Sequence, residues 1–316
     1  MHTSICKICG NEAGNASFQT KEMMFGFRDG FTYVHCAVCG VVQIESVPEN
    51  IAKYYPENYY SYSSNDSTSF SFKKWRQGQV YNHHFGKRSL LGAFVSFFSS
   101  KPAIWMNRKY LCLNSKILDV GSGSGKLLLD MQRGGFTKLV GVDPFLEKDI
   151  QYDCGVNIYK KSFFDITETF DFIMFHHSFE HMDQPQKIFS HLYKILNKGC
   201  FALIRIPVAD SFSFRKYGSE WVNLDPPRHF FLYTTKSINF LAAQSGLSLK
   251  ETMYDSNQFQ FYGSELYRRN LTLDDYNKGL HPDLFTKTQM RNFRAEANRL
   301  NKINDGDWAC FYFFKP

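Results

Sequence analysis

Residues 116 to 143 constrain this chain more than any other stretch. Lys116 to Val120 is a short apolar run, which predicts a strand. It leads through Asp119-Val120-Gly121-Ser122-Gly123-Ser124-Gly125 into Lys126 to Met131, which reads as a helix stopped by Gly134-Gly135. A second strand, Lys138 to Val142, ends at Asp143. Strand, glycine turn, helix and strand begin a doubly wound α/β sheet. Two nucleotide-binding patterns fail here. A dinucleotide fingerprint needs its third glycine where Lys126 stands. A phosphate loop closing on Gly125-Lys126 needs glycine at Val120 and a hydroxyl residue at Leu127. The alternating glycines let the backbone lie against a ligand, and the helix behind them favours an anionic group at its N-terminus. Asp119 can attract a cationic group. Asp143, about 20 residues on, is placed to accept a pair of ribose hydroxyls.

The strand and helix alternation continues. Asn157 to Lys160 predicts a third strand, followed by Ser162-Phe163-Phe164-Asp165. Phe170 to Phe175 predicts a fourth, running into His176-His177-Ser178-Phe179-Glu180-His181-Met182. Asp183 and Pro185 open a helix, and Cys200 to Ile206 predicts a fifth strand. Leu247 to Tyr254 and Asp307 to Lys315 predict two more. Between these two, an insertion at about residues 258–305 holds a helix begun by the capping box Thr286-x-x-Gln289. It is expected to shape the acceptor site or a homodimer contact.

Taken together, Asp-Val-Gly-Ser-Gly-Ser-Gly, Gly-Val-Asp, Phe-Asp-Phe-Ile and Phe-Glu-His-Met-x-x-Pro resemble the motifs of class I S-adenosylmethionine-dependent methyltransferases. The similarity is to the broad group that includes ubiquinone-biosynthesis O-methyltransferases. It implies an α/β fold with a Rossmann-like, seven-stranded sheet whose last strand is antiparallel. It implies S-adenosylmethionine held by Asp119, Gly121, Ser122, Gly123, Gly125, Asp143 and Pro144. Asp165 would accept from the adenine amino group and Phe163 or Phe164 would cover a ring face, although a helix cap and core packing explain them equally well. His176 would approach the cofactor or substrate, and His177 would be a packed neighbour. Trp221-x-x-Leu224-Asp225-Pro226-Pro227-Arg228-His229-Phe230 resembles a motif of bacterial methyltransferases that carry an N-terminal four-cysteine ribbon. That subgroup is associated with cell-surface polysaccharide or modified-sugar biosynthesis, which implies a small or sugar-linked acceptor methylated at oxygen.

Methyl transfer needs alignment and usually one base. His181, beside Glu180, is the expected base, and a purely structural role for the pair stands as its alternative. His229 and Arg228 are expected to face the acceptor, with Arg228 holding a phosphate or carboxylate through a bidentate contact. Trp221 is expected to wall the acceptor, or else to close the core. Asp225-Pro226-Pro227-Arg228 superficially resembles the Asp-Pro-Pro-Tyr motif of base N-methylation. It lacks the aromatic fourth residue, however, and follows the fifth strand instead of the fourth.

The cysteines organise the other end. Cys6-x-x-Cys9-Gly10 and Cys36-x-x-Cys39-Gly40 are two matched turns. Four thiolates so spaced suit one tetrahedral, structural zinc, so residues 1–45 read as a zinc ribbon. Cys112, Cys154, Cys200 and Cys310 are scattered beside apolar residues and are expected to be buried thiols. Residues 46–110 read as a linker and helical cap, and 111–316 as the methyltransferase domain. Lys53 to Ser64, rich in tyrosine and serine, suits a linker or a lid. Residues 72–110 read as mostly helical, with basic Lys73, Lys74, Arg76, Lys87 and Arg88. Leu90 to Phe98 is the longest apolar run and is too short to span a membrane. No secretory signal pattern is visible, so a cytoplasmic protein is expected. The net charge of +7 permits an anionic acceptor. Two rival functions remain: an RNA or protein methyltransferase that uses the ribbon to bind its acceptor, and a non-catalytic interaction protein.

Overall fold

The computed structural model describes residues 5–56, 72–85 and 103–316. Lys87, Arg88, the Leu90–Phe98 run and most of the tyrosine- and serine-rich segment lie outside them. In chain order, β1 (Ala16–Lys21), β2 (Gly30–His35) and β3 (Val42–Ile44) precede α1 (Phe72–Phe85). The glycine turn joins β4 (Lys116–Val120) to α2 (Lys126–Arg133), and β5 (Lys138–Val142), β6 (Ile150–Gln151) and β7 (Asn157–Tyr159) follow. Next come β8 (Phe170–His176), α3 (Pro185–Ile195), β9 (Leu196–Pro207), α4 (Phe212–Tyr217) and β10 (Phe231–Leu232). The chain ends with α5 (Thr235–Ser245), β11 (Ser248–Tyr254), α6 (Phe259–Arg268), α7 (Leu273–Asn277), α8 (Lys287–Lys302) and β12 (Trp308–Phe314).

The main sheet has the order β11-β12-β9-β8-β4-β5-β7-β6. β7, β5, β4, β8 and β9 run parallel, and β12 lies antiparallel between β9 and β11. This is the expected seven-stranded arrangement plus one addition, the two-residue β6, antiparallel on the β7 edge. Burial alternates with the strand period of two. Ile117, Phe172, Met174, Leu203 and Tyr312 pack to one face with Leu128, Met131 and Tyr81. Leu118, Ile173, Phe175, Ile204 and Phe311 pack to the other with Phe189, Leu192 and Leu241. Helices on both faces bury the sheet, so the strand order decides where a ligand can enter. The order reverses between β4 and β8, and the crevice beyond their carboxyl ends is open.

β1, β2 and β3 form an antiparallel meander. Gly30, expected in its turn, is the first residue of β2; Arg28 takes the left-handed conformation of the turn, with φ 59°. The Glu22 carboxylate ties that turn by accepting from the amides of Phe25 and Phe27, each at 2.9 Å. The ribbon's sheet gains its fourth strand from far along the chain: Phe231 and Leu232 pair with Gln43 and Val42. Cys6, Cys36 and Cys39 belong to the same apolar core as the main sheet. The boundary expected at residue 45 is therefore not a seam in space. Of the scattered cysteines, Cys310 is buried and Cys200 half-buried, but Cys112 and Cys154 are exposed, contrary to expectation. Among the described residues, no helix is long and apolar enough to cross a membrane.

Candidate active site

The glycine turn and the histidine segment close on each other across the strand reversal. Gly121 has φ +75° and Gly125 φ +82°, conformations that side chains resist. A Cβ on Gly121 would stand 2.5 Å from that of Ser178. The Ser178 hydroxyl in turn donates to the Val120 carbonyl at 2.6 Å. The two segments are thus locked together by one small residue on each side.

A cleft opens here, walled by Gly121, Asp143, Pro144, Phe163, His177 and His181, among others. The Asp143 carboxylate is aimed by two backbone amides, Gly123 at 2.9 Å and Phe145 at 2.9 Å. Each oxygen keeps a second acceptor direction for a hydroxyl. Asp119 lies buried behind the turn. Burial first, and the Asp143 charge second, push its carboxyl up to about 7. Tyr55 and the exposed Phe145 stack over the cleft, with ring centroids 6.5 Å apart. Tyr55 belongs to the tyrosine- and serine-rich segment read as a linker or a lid, whereas Phe145 stands out in no way, because no periodicity or motif marks an isolated loop ring. A flat, glycine-floored cleft with a hydroxyl-accepting carboxylate at one end fits S-adenosylmethionine.

Several expected neighbours serve other purposes. Asp165 and Ser162 form a reciprocal helix cap: Asp165 accepts from the Ser162 amide, and the Ser162 hydroxyl accepts from the Phe164 amide. Phe163, not Phe164, lines the cleft. The His176 ring packs against Trp105 at 4.3 Å, and neither cavity has His176 in its wall. The Ser122 hydroxyl sits against the place a Cβ on Gly141 would occupy, 2.5 Å away, so it fills the turn.

Behind the cleft lies a second cavity of about 560 Å³. Among the described residues, His177 is the one common to both walls. The insertion supplies much of the second wall through Phe259, Tyr262, Tyr267 and Asn277, and the ribbon adds Met24. Glu180 and His229 also line it. Glu180 is fully buried, neither of its oxygens has a hydrogen-bond partner, and burial raises its carboxyl to about 8. His229 donates from Nδ1 to the Asn223 carbonyl at 2.7 Å, leaving Nε2 toward Asp225 at 3.8 Å and Glu180 at 4.0 Å. His181 lines the cleft, with its Nδ1 2.8 Å from the Arg228 carbonyl; burial and the nearby His229 lower its pKa to about 3.

Two expectations are overturned. Arg228 is fully buried and does not face an acceptor. Its guanidinium donates to Glu22 at 2.9 Å, to both Asp225 oxygens and to the Tyr54 carbonyl at 3.1 Å. It staples the ribbon turn to the loop after β9. Trp221 is equally buried, and its indole donates to Asp307 at 3.0 Å, so it closes the core and walls no substrate. The four ribbon thiols do come together. Cys6–Cys39 and Cys9–Cys36 sulfurs are 3.6 Å apart. That is too long for a disulfide, and close to the edge of about 3.8 Å that four zinc–sulfur bonds of ~2.3 Å imply. Gly10 and Gly40, at φ +74° and +73°, each donate back to the first cysteine carbonyl of their pair.

Residues 81–252, more than half of the chain, match the model of a methyltransferase-domain family. The chain belongs to that family and is an S-adenosylmethionine-dependent methyltransferase. No curated protein matches it significantly. Among solved structures it is similar to an S-adenosylmethionine-dependent methyltransferase from Archaeoglobus fulgidus, at 16% identity over 75% of this chain and 98% of that one, TM-score 0.41. It is also similar to a cyclopropane synthase from Mycobacterium tuberculosis, at 14% identity over 78% and 95%, TM-score 0.41. A third similarity is to a phosphoethanolamine N-methyltransferase from Haemonchus contortus, at 18% identity over 79% and 62%, TM-score 0.38. The family assignment rests on the domain match.

Proposed function

We propose that the chain methylates a hydroxyl of a small or sugar-linked acceptor seated in the second cavity. The observation that carries this reading is the meeting of the two cavities at His177. When bound, S-adenosylmethionine supplies a methyl group activated by a sulfonium. Asp143 would accept its ribose hydroxyls, Gly121 would give it backbone contact, and Tyr55 and Phe145 would cover it from water. The acceptor would lie against Phe259, Tyr262 and Trp308, with Asn257, Gln258 and Asn277 offering carboxamides to its hydroxyls. Arg205, the cation in that wall among the described residues, is engaged by Asp255 at 2.8 Å. This favours an uncharged moiety in the cavity, with any phosphate of a nucleotide sugar held outside it. A role in polysaccharide or modified-sugar biosynthesis agrees with this chemistry, as does a reducing, cytoplasmic setting for the four ribbon thiols.

Calorimetry with S-adenosylmethionine tests the cofactor half: Asp143→Ala is expected to weaken binding at least tenfold, and undiminished affinity sinks the assignment. Product mass after incubation with labelled cofactor and a panel of nucleotide sugars and free glycosides tests the acceptor half. We further propose that Cys6, Cys9, Cys36 and Cys39 hold a structural zinc. Metal analysis should find about one zinc per chain, lost in Cys36→Ser.

A further inference from the structure

We infer that His177, and not His181, is the group that takes the acceptor's proton, with Glu180 and Arg205 as its positioning residues. The inference rests on the two-cavity reading above. His177 is the side chain shared by the cofactor cleft and the acceptor cavity, whereas His181 lines the cleft alone. It is held at a positive φ of 50°, which only a few per cent of non-glycine residues adopt. Such strain persists where the surroundings over-determine it, and it concentrates at functional sites. Here the surroundings are explicit. The His177 amide donates to the Arg205 carbonyl at 2.9 Å, and the ring packs edge-on against Trp308 at 4.8 Å.

The ring's partners assign its tautomer. A guanidinium can only donate, so the Arg205 contact makes Nε2 the lone-pair nitrogen. Nδ1 then carries the hydrogen, 3.4 Å from the Glu180 carboxylate. Arg205 also holds Asp255, so it can release Nε2 to an entering hydroxyl without losing its charge partner. The charged and titratable groups around the ring are Arg205, Glu180, His176, His181 and His229, with Asp255 behind Arg205. Burial and the Arg205 charge hold the imidazole well below its usual pKa, so it is neutral and ready to accept at physiological pH.

The step balances. The acceptor oxygen forms a bond to the methyl carbon and releases its proton to Nε2. The carbon–sulfur bond breaks with its electron pair going to sulfur. One positive charge, initially on the sulfonium, ends on the imidazolium. Glu180 is the buried carboxyl beside it, without a hydrogen-bond partner of its own, whose ionised form the new charge would stabilise, its proton leaving through the acceptor cavity that Glu180 lines.

Two measurements on the full chain test this. His177→Asn keeps a residue tolerant of the left-handed conformation. With any methyl glycoside or nucleotide sugar that the parent methylates, it should lower kcat about 100-fold or more, with cofactor affinity within about threefold. The parent's loss of kcat at acidic pH should vanish in this variant, while Glu180→Gln moves that loss and His181→Gln leaves it in place. A His177→Asn kcat within about tenfold of the parent, or an acidic loss that follows His181 instead, overturns the inference. Nitrogen NMR of ¹⁵N-histidine-labelled protein needs no acceptor. A neutral ring protonated at Nδ1 at pH 7 supports the assignment, and an imidazolium there overturns it. If the parent methylates none of the panel, the acceptor reading fails on its own and the NMR result still decides the state of His177.

Discussion

The glycine turn at residues 121–125 and the loop at 225–229 both follow strands of the main sheet, and both carry recognisable motifs. One presents its backbone to a cleft. The other buries its charges in the protein. The turn works through missing side chains, so little else in the fold can satisfy the same pattern. The loop works through Arg228, Asp225 and His229, whose chemistry suits a substrate or an internal ion pair equally well. A motif made of backbone freedom is informative by itself; a motif made of charges is informative only once its partners are known.

That contrast can be broken experimentally. The largest effect belongs to the loop. Arg228→Ala strands the buried Glu22 and Asp225 carboxylates and should cost about 3–5 kcal/mol of stability, read by denaturant unfolding. An acceptor-binding arginine would instead leave stability near the parent's and raise KM. Next is Gly121→Ala, which combines a positive φ with the Ser178 clash. About 1–2 kcal/mol of backbone strain, added to displacement of Ser178, should weaken S-adenosylmethionine binding at least tenfold by calorimetry while the protein stays folded. Last comes a pH effect at Glu180, small within any one pH unit. Its folded pKa of about 8 lies above the ordinary 4.5, so the folded state binds the extra proton. Stability from this group is full below about 4.5 and is lost as pH rises through 8. Glu180→Gln should therefore match the parent near pH 4.5 and gain on it up to pH 8, by at most about 1.4 kcal/mol per unit. Equal pH dependence of parent and variant would show that burial does not raise the Glu180 pKa.

The same contrast explains what could be read before folding. The parallel sheet, the cofactor turn, Asp143 and the cysteine quartet are local patterns, set by spacing within a few residues or by two matched turns. The ion pair of Arg228 with Glu22 joins residues more than two hundred positions apart, and no local pattern signals it. Tyr55, Phe145 and Met24 reach the cavities from loops without periodicity. His177 was hidden for another reason. His176, His177, Glu180 and His181 crowd one strand end and all look eligible, and only the reversal of strand order and a positive φ separate the one that lines both cavities.

The pairing of Phe231 with Gln43 has a consequence in time. β3 leaves the ribosome 188 residues (231 − 43) before the strand that completes its sheet. Through that interval its outer edge offers unpaired amides and carbonyls to any neighbouring strand. Early capture of a metal by the cysteine turns would hold the meander in register while it waits, and the ribbon's first service to this enzyme would then fall during synthesis, before there is an active site to support.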